Sequence, residues 1–109
     1  MVSDEGILYV EPSAQTSHEP IIDELTRKMA AAYRLGVAGP GYRGFHICAC
    51  GATSSNCNYT LPSGEQTNSL CVHYLAFHRD EIPESQLEKV RQLNYGEVEP
   101  NENELKRPK

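Results

Sequence analysis

The sequence predicts a small single domain of the α+β class, stapled by a metal ion. Two segments carry apolar residues at helical spacing on either side of short β segments separated by turn residues. Six of the seven cysteines and histidines that follow the first predicted helix gather in two tight clusters, and Cys57 stands alone. The chain has 109 residues, which fits one domain. Its central part, about 75 residues, is of a size that metals commonly supplement, because burial alone stabilises it marginally.

Composition divides the chain into three parts. Residues 1–19 are predicted to form an N-terminal strand and loop, and residues 20–94 the α+β, zinc-binding domain. Residues 95–109 are rich in Glu, Asn and Pro and carry almost no apolar side chains. Such a segment buries too little surface to offset the entropy of ordering it, so we predict an acidic, disordered tail.

The first part of the domain is predicted to be a strand followed by a helix. Gly6–Val10 alternates as a half-buried strand does. Ser17 is a suitable cap for an N-terminal helix that begins near His18 and stops at Gly36. The apolar face of this helix is predicted to contain Ile22, Leu25, Met29 and Ala32 or Tyr33.

A small antiparallel sheet is predicted in the middle of the chain. Phe45–Cys50 has the pattern of a strand that is halted by Gly51. Tyr59–Leu61 and Glu65–Thr67 flank a Pro-Ser-Gly sequence, which indicates a short hairpin.

Two more helices are predicted after the hairpin. Leu70–Arg79 is apolar nearly all round, which is typical of a buried helix, and Thr67 or Asn68 would cap it. Glu84–Leu93 is amphipathic, and its inner face is predicted to contain Leu87, Val90 and Leu93.

The first Cys/His cluster is His46, Cys48 and Cys50. In a strand these alternate residues share one face, but all three span about 13 Å, too far for a single zinc ion. Cys48 with Cys50 is the better pair, because Gly51 allows the chain to turn and bring both sulfur atoms together. His46 with Cys48 is the alternative pair.

The second cluster lies on the predicted buried helix. Cys71 and His78 share a face but are about 10.5 Å apart along the helix axis. His73 and His78 have four residues between them, a spacing seen in Cys2His2 sites, and a local change of the helix would bring both imidazoles together. The predicted ligands of one structural Zn²⁺ ion are Cys48, Cys50, His73 and His78, with Cys71 and His46 as alternates.

The order of these features over Phe45–His78 resembles the ββα zinc finger, with cysteines on a strand, a hairpin, and histidines on a helix. The resemblance implies a hairpin and helix joined by zinc. The chain departs from that family in its Cys-x-Cys spacing and in the 22 residues between Cys50 and His73. It also lacks a basic helix face, so DNA readout does not carry over.

The leading functional hypothesis is a non-enzymatic zinc module with an unidentified protein partner. The first alternative is a metalloenzyme in which Cys48, Cys50 and His73 hold zinc and leave one position for water. The second is a thiol-based redox sensor that uses Cys48 or Cys50 with Cys71, and it requires an accessible thiolate of low pKa. The simplest reading leaves all these residues as ordinary core and surface side chains.

Charge and hydropathy exclude other classes of function. The net charge of −5 argues against nucleic-acid binding, which depends on Lys and Arg. The sequence has no apolar run of 18 residues and no basic, apolar leader at its N-terminus, which predicts no membrane span and a cytoplasmic location. A reducing compartment favours metal binding over disulfides for the four cysteines.

Overall fold

The structure of the protein, a computed structural model, describes residues 6–8, 10, 12–39, 47–53 and 58–107. Within these ranges, four helices and four short strands form a small α+β fold, which confirms the predicted class. The helices are α1 (Glu24–Leu35), α2 (Cys71–Phe77), α3 (Glu84–Arg91) and α4 (Glu102–Leu105). The strands are β1 (Gly6–Ile7), β2 (Val37–Ala38), β3 (Asn58–Thr60) and β4 (Gln66–Asn68).

Strands β3 and β4 form the predicted hairpin, each displaced by one residue from the predicted range. The Leu61 amide donates to the Glu65 carbonyl at 2.7 Å and closes the turn. Gly64 has a φ of 97°, in the left-handed region that glycine adopts without steric cost. The Pro-Ser-Gly sequence therefore sets both the position and the geometry of the hairpin.

The sheet is mixed rather than purely antiparallel. Its strand order is β1-β4-β3-β2, in which β1 pairs with β4 in parallel and the other pairs are antiparallel. Thr67 of β4 lies opposite Ile7, and its hydroxyl donates to the Ile7 carbonyl at 2.9 Å. A strand from the start of the chain therefore completes one edge of the sheet.

Helix α1 begins at residue 24 rather than near His18. Asp23 caps it, accepting a hydrogen bond from the Thr26 amide at 3.2 Å. Ser17, the predicted cap, instead uses its amide to donate to the Phe77 carbonyl at 2.9 Å. The segment before α1 is thus held against the end of α2, which the local sequence pattern does not reveal.

Helix α2 is the centre of the core, since every one of its seven residues is buried. It ends two residues earlier than predicted, and it packs against α1 and α4. Helix α3 ends at Arg91 rather than at Leu93; its inner face buries Val90 and leaves Leu87 half-buried, and Leu93 is buried just beyond the helix. In the described part of the chain, no helix has the length and apolar character needed to cross a membrane.

The predicted disordered tail is not confirmed, because residues 102–105 form α4. Asn101 and Glu104 make a reciprocal capping box at its start. The buried Glu104 carboxylate also accepts from the Arg34 guanidinium at 2.7 and 3.0 Å. Leu105 is 3% exposed and belongs to the core. The buried leucine and the ion pair therefore both contribute to docking a segment that is otherwise polar.

Replacing Leu105 by Ala tests this docking. A buried leucine that loses three carbon atoms leaves a cavity, so we expect the free energy of unfolding to fall by about 2–4 kcal/mol in urea titrations. Leu35→Ala is the matched control, because Leu35 is 52% exposed and should change stability by less than about 0.5 kcal/mol. Equal effects of the two substitutions would contradict the docked position of α4.

An ion pair joins the end of α2 to the start of α1. The Arg79 guanidinium donates to both carboxylate oxygens of Asp23, at 2.9 and 2.8 Å. These hydrogen bonds hold the pKa of Asp23 at about 2, below its usual value of 3.8. The pair fixes the residue that directly follows His78, and it thereby sets where α2 gives way to the next turn.

The Asp23 pair gives a pH dependence with a defined sign. Because the pKa of Asp23 is lower in the folded chain, its contribution is complete above about pH 4 and is lost as pH falls towards 2. The carboxylate is about half exposed, so we expect about 1 kcal/mol after solvent screening. Urea unfolding at pH 5 and pH 2.5 should show this loss in the parent chain and much less of it in Asp23→Asn, which keeps the cap. Equal losses of stability in both proteins would rule out this contribution of the Asp23 carboxylate.

Candidate metal centre

Cys48 and Cys50 lie in a tight turn formed by residues 47–53. The Cys48 amide donates to the Ala52 carbonyl at 2.8 Å, and the Gly51 amide donates back to the Cys48 carbonyl at 2.8 Å. The residues at the two ends of the turn pair as an isolated antiparallel bridge. Backbone hydrogen bonds within residues 47–53 are therefore enough to close the turn.

The strand predicted over Phe45–Cys50 is wrong for residues 48–50, and Phe45 and His46 lie outside the described residues. Gly51 has a φ of 103°, a left-handed conformation that reverses the chain and that a Cβ atom would strain. The predicted turn at Gly51, which brings the sulfur atoms of Cys48 and Cys50 together, is therefore present.

The two histidines converge because α2 ends between them. Five positions along a regular helix would place their side chains about 140° apart around the axis. The helix stops at Phe77, and His78 adopts φ −129° and ψ 31°. The ring centroids of His73 and His78 are consequently 5.0 Å apart. The two imidazoles thus come together because the helix ends between them, and not because a continuous helix is locally distorted.

The four predicted ligands form one cluster. Sγ of Cys48 lies 3.2 Å from Nε2 of His78, and Sγ of Cys50 lies 3.3 Å from Nε2 of His73. One donor atom from each residue lies within 4.8 Å of the other three. No member of the cluster is more than 7% exposed. The structure therefore brings together two sulfur and two nitrogen donors in the interior.

The donor set and its spacing fit a tetrahedral zinc ion. With Zn–S bonds of about 2.3 Å and Zn–N bonds of about 2.0–2.1 Å, a sulfur and a nitrogen at two corners are about 3.6 Å apart. The two observed S–N distances, 3.2 and 3.3 Å, lie close to that value. Two thiolates with two imidazoles are also a ligand set that zinc accepts in structural sites.

His73 is held in a neutral form that suits a metal ligand. Burial lowers its pKa to about 4, an effect that the nearby Leu105 carbonyl partly opposes. That carbonyl is 3.0 Å from Nδ1, so Nδ1 carries the proton and donates to it. Nε2, which faces Cys50, keeps its lone pair and is free to bind a cation.

His78 differs from His73 at its second ring nitrogen. Burial lowers its pKa, while the backbone of Gln15 and the carboxylate of Glu81 oppose that shift. Nδ1 is buried and makes no hydrogen bond within the described residues. Its nearest ionic neighbour is Oε2 of Glu81, at 3.9 Å. Among the described residues, the ring therefore has one well-formed side-chain contact, at Nε2, while the Gln15 backbone lies near it.

The Cys48 thiol is protonated at neutral pH when no cation is bound. Burial raises its pKa to about 11, an effect that the Cys50 backbone partly opposes and the Cys50 side chain reinforces. A metal ion would reverse this preference, because coordination displaces the thiol proton.

Of the two alternate ligands, Cys71 is the one that lies within the described residues, and it is not part of the cluster. Cys71 is fully buried in the core, where its thiol contacts Thr67 and burial raises its pKa to about 12. It acts there as a small apolar side chain. His46 and Cys57 lie outside the described residues.

Sequence reasoning missed two groups that surround the cluster, the Leu105 carbonyl and the Glu81 carboxylate. A signal existed for the first. Asn101 followed by Glu104 is the pattern of a capping box, and it predicts the short helix that presents Leu105. Nothing in the sequence indicates that either group faces a histidine, since that contact depends on the packed fold.

No family model, no curated protein and no solved structure matches this chain. The case for the function of the cluster therefore depends on its geometry.

Gly51→Ala tests the turn that carries the cysteines. A Cβ atom at this positive φ strains the backbone and should lower the free energy of unfolding by about 1–2 kcal/mol. Gly64→Ala, at φ 97° with open space around it, is the matched control and should cost a similar amount. Only Gly51→Ala should also weaken Zn²⁺ binding, measured by competition with a chromophoric chelator, since only that turn sets the two sulfur positions. Equal zinc affinities would argue against this role of the turn.

Proposed function

We propose that this protein is a zinc-binding module in which Cys48, Cys50, His73 and His78 hold one structural ion. The observation that carries the proposal is the convergence of four buried donor atoms within 4.8 Å. Four protein ligands complete a tetrahedral shell, and such closed shells are typical of structural zinc sites.

The role of the ion follows from the elements that it would join. The turn at residues 47–53 belongs to none of the named strands, and its two sulfur atoms face His73 of α2 and His78 directly after it. An ion at the cluster would link this turn to the helix at the centre of the core. Because an unfolded chain has no preformed site, the free energy of metal binding would add to the free energy of folding.

The burial of the cluster supports this role over the two alternatives. A catalytic zinc keeps one position for water or substrate, whereas four donors that are each at most 7% exposed leave no protein ligand to spare and little access. A redox sensor needs an accessible thiolate of low pKa, whereas both sulfur-bearing residues are buried and burial raises the pKa of Cys48.

We further propose that the module serves as an interaction scaffold for a protein partner in a reducing compartment. The net charge of −5 is unfavourable for a nucleic-acid partner. Cys48, Cys50 and Cys71 are free thiols rather than disulfides, which suits cytoplasmic conditions. A structural ion without an open position leaves binding, rather than chemistry, as the task of the domain.

Metal analysis of the untagged protein tests the proposal directly. We expect about one zinc ion per chain, and a chelator should lower the thermal midpoint by ten degrees or more, since structural zinc contributes about 10–16 kcal/mol to the folding of small zinc domains. Cys50→Ala should lose the ion. Cys71→Ala should retain it, because Cys71 lies outside the cluster.

The outcomes separate the hypotheses. Absence of zinc from the parent chain, together with unfolding that is unaffected by chelator, would mean that the four residues are ordinary core side chains without a metal. Full retention of the ion by His78→Ala, together with its loss from Cys50→Ala, would leave Cys48, Cys50 and His73 as the ligands and would favour the metalloenzyme. Where a variant does not fold, adding Zn²⁺ to the chelated parent chain and following the return of ellipticity tests whether folding depends on the ion.

A further inference from the structure

The two histidines of the cluster are satisfied unequally. The ring of His73 uses both nitrogens, with Nε2 facing Cys50 and Nδ1 bound to the Leu105 carbonyl at 3.0 Å. The ring of His78 uses only Nε2, which faces Cys48 at 3.2 Å. Its Nδ1 is buried without a hydrogen bond to any described residue.

A bound ion would make this difference important. Coordination through Nε2 leaves the proton of a neutral imidazole on Nδ1, so Nδ1 becomes a donor. A buried donor without an acceptor costs about 1–3 kcal/mol. Ligating histidines accordingly donate their second N–H to a carboxylate, a backbone carbonyl or water, and this contact orients the ring. His78 therefore needs an acceptor at Nδ1.

Glu81 is in position to supply that acceptor. It is the last residue of a short 3-10 turn, Arg79–Glu81, which directly follows His78. Its Oε2 is 3.9 Å from Nδ1 of His78. The Ser13 amide and hydroxyl each donate to this carboxylate at 2.9 Å and hold it beside the ring. Glu81 is 37% exposed at its side chain, so a shift of about 1 Å to hydrogen-bond distance meets little packing resistance. The backbone of Gln15 is the rival acceptor.

We propose that Glu81 is a positioning residue of the zinc site, which accepts a hydrogen bond from Nδ1 of His78 when Nε2 binds the ion. This inference rests on the proposed zinc function. It assigns a carboxylate to one histidine and a backbone carbonyl to the other, so each ring is oriented from both sides. Through Ser13, it also ties the segment before α1 to the metal site.

The test compares Glu81→Ala, Glu81→Gln and Asp80→Ala. Loss of the acceptor should weaken Zn²⁺ binding by about 10–100-fold, as for other second contacts of metal-bound histidines. Glu81→Gln retains an oxygen at the same reach and should recover part of the affinity. Asp80→Ala removes the adjacent acid of the same turn and should bind as tightly as the parent chain. Dissociation constants come from competition with a chromophoric chelator.

A spectroscopic readout separates positioning from general loss of stability. In the ¹⁵N-labelled, zinc-loaded parent chain, the Nδ1–H protons of both His73 and His78 should exchange slowly with solvent. Glu81→Ala should accelerate exchange at His78 and leave His73 unchanged, which a merely destabilised protein would not do. Circular dichroism of each loaded variant checks that it is folded.

Two failures have different meanings. A parent chain that binds no zinc removes the proposed function together with this inference. A parent chain that binds zinc, with Glu81→Ala equal to Asp80→Ala in affinity and in His78 proton exchange, overturns the inference alone and assigns Nδ1 to the Gln15 backbone or to water.

Discussion

The central constraint on this fold is that two thiols and two imidazoles are buried side by side. Polar groups in the interior need partners, because each one that loses water without a replacement costs free energy. In the cluster, each sulfur faces one nitrogen at 3.2 or 3.3 Å, which satisfies each group once. A single cation with four bonds would satisfy all of them together, and it would do so only if the turn and the helix keep their present relation. The position of the turn and the end of α2 therefore depend on the same four atoms.

The surroundings of α2 follow from this arrangement. A helix whose seven residues are all buried must be covered on every side, and no single neighbouring element is large enough to cover it. Helix α1 packs along it, and α4 closes a further side. The segment before α1 runs past its last turn, where the Ser17 amide binds the Phe77 carbonyl. Elements from both ends of the chain are thus recruited to a core of modest size, and a metal ion at its edge would compensate for the limited apolar surface.

The parts of the fold that could be predicted are those that local chemistry decides. The hairpin follows from its Pro-Ser-Gly turn, and the buried helix follows from a run of apolar residues that has no polar face. The four clustered residues were predicted because two short Cys/His segments, each weak alone, could complete one tetrahedral shell. That prediction depended on spacing, and it needed no knowledge of the packed core.

The parts that could not be predicted depend on distant partners. The alternation of Cys48 and Cys50 in the sequence predicts a strand. The chain forms a turn there instead, because Gly51 adopts a positive φ. Ser17 is a residue type that commonly caps helices, but its amide and hydroxyl instead donate hydrogen bonds to backbone carbonyls of α2. The tail has the composition of a disordered segment, yet its docking is decided by Leu105 and by the ion pair between Glu104 and Arg34. In each case the deciding contact lies many residues away.

These distant contacts form a continuous path from helix α1 to the candidate metal centre. Arg34 of α1 holds Glu104, the capping box of Glu104 builds α4, and α4 presents the Leu105 carbonyl to His73. A carbonyl held in this way fixes the ring and its tautomer, which strengthens ligation at the other nitrogen. Because coupling between two equilibria is reciprocal, an ion that favours the oriented ring must favour the docked α4 by the same factor. The polar C-terminal segment would thereby influence the candidate site, although the four donor residues all lie outside that segment.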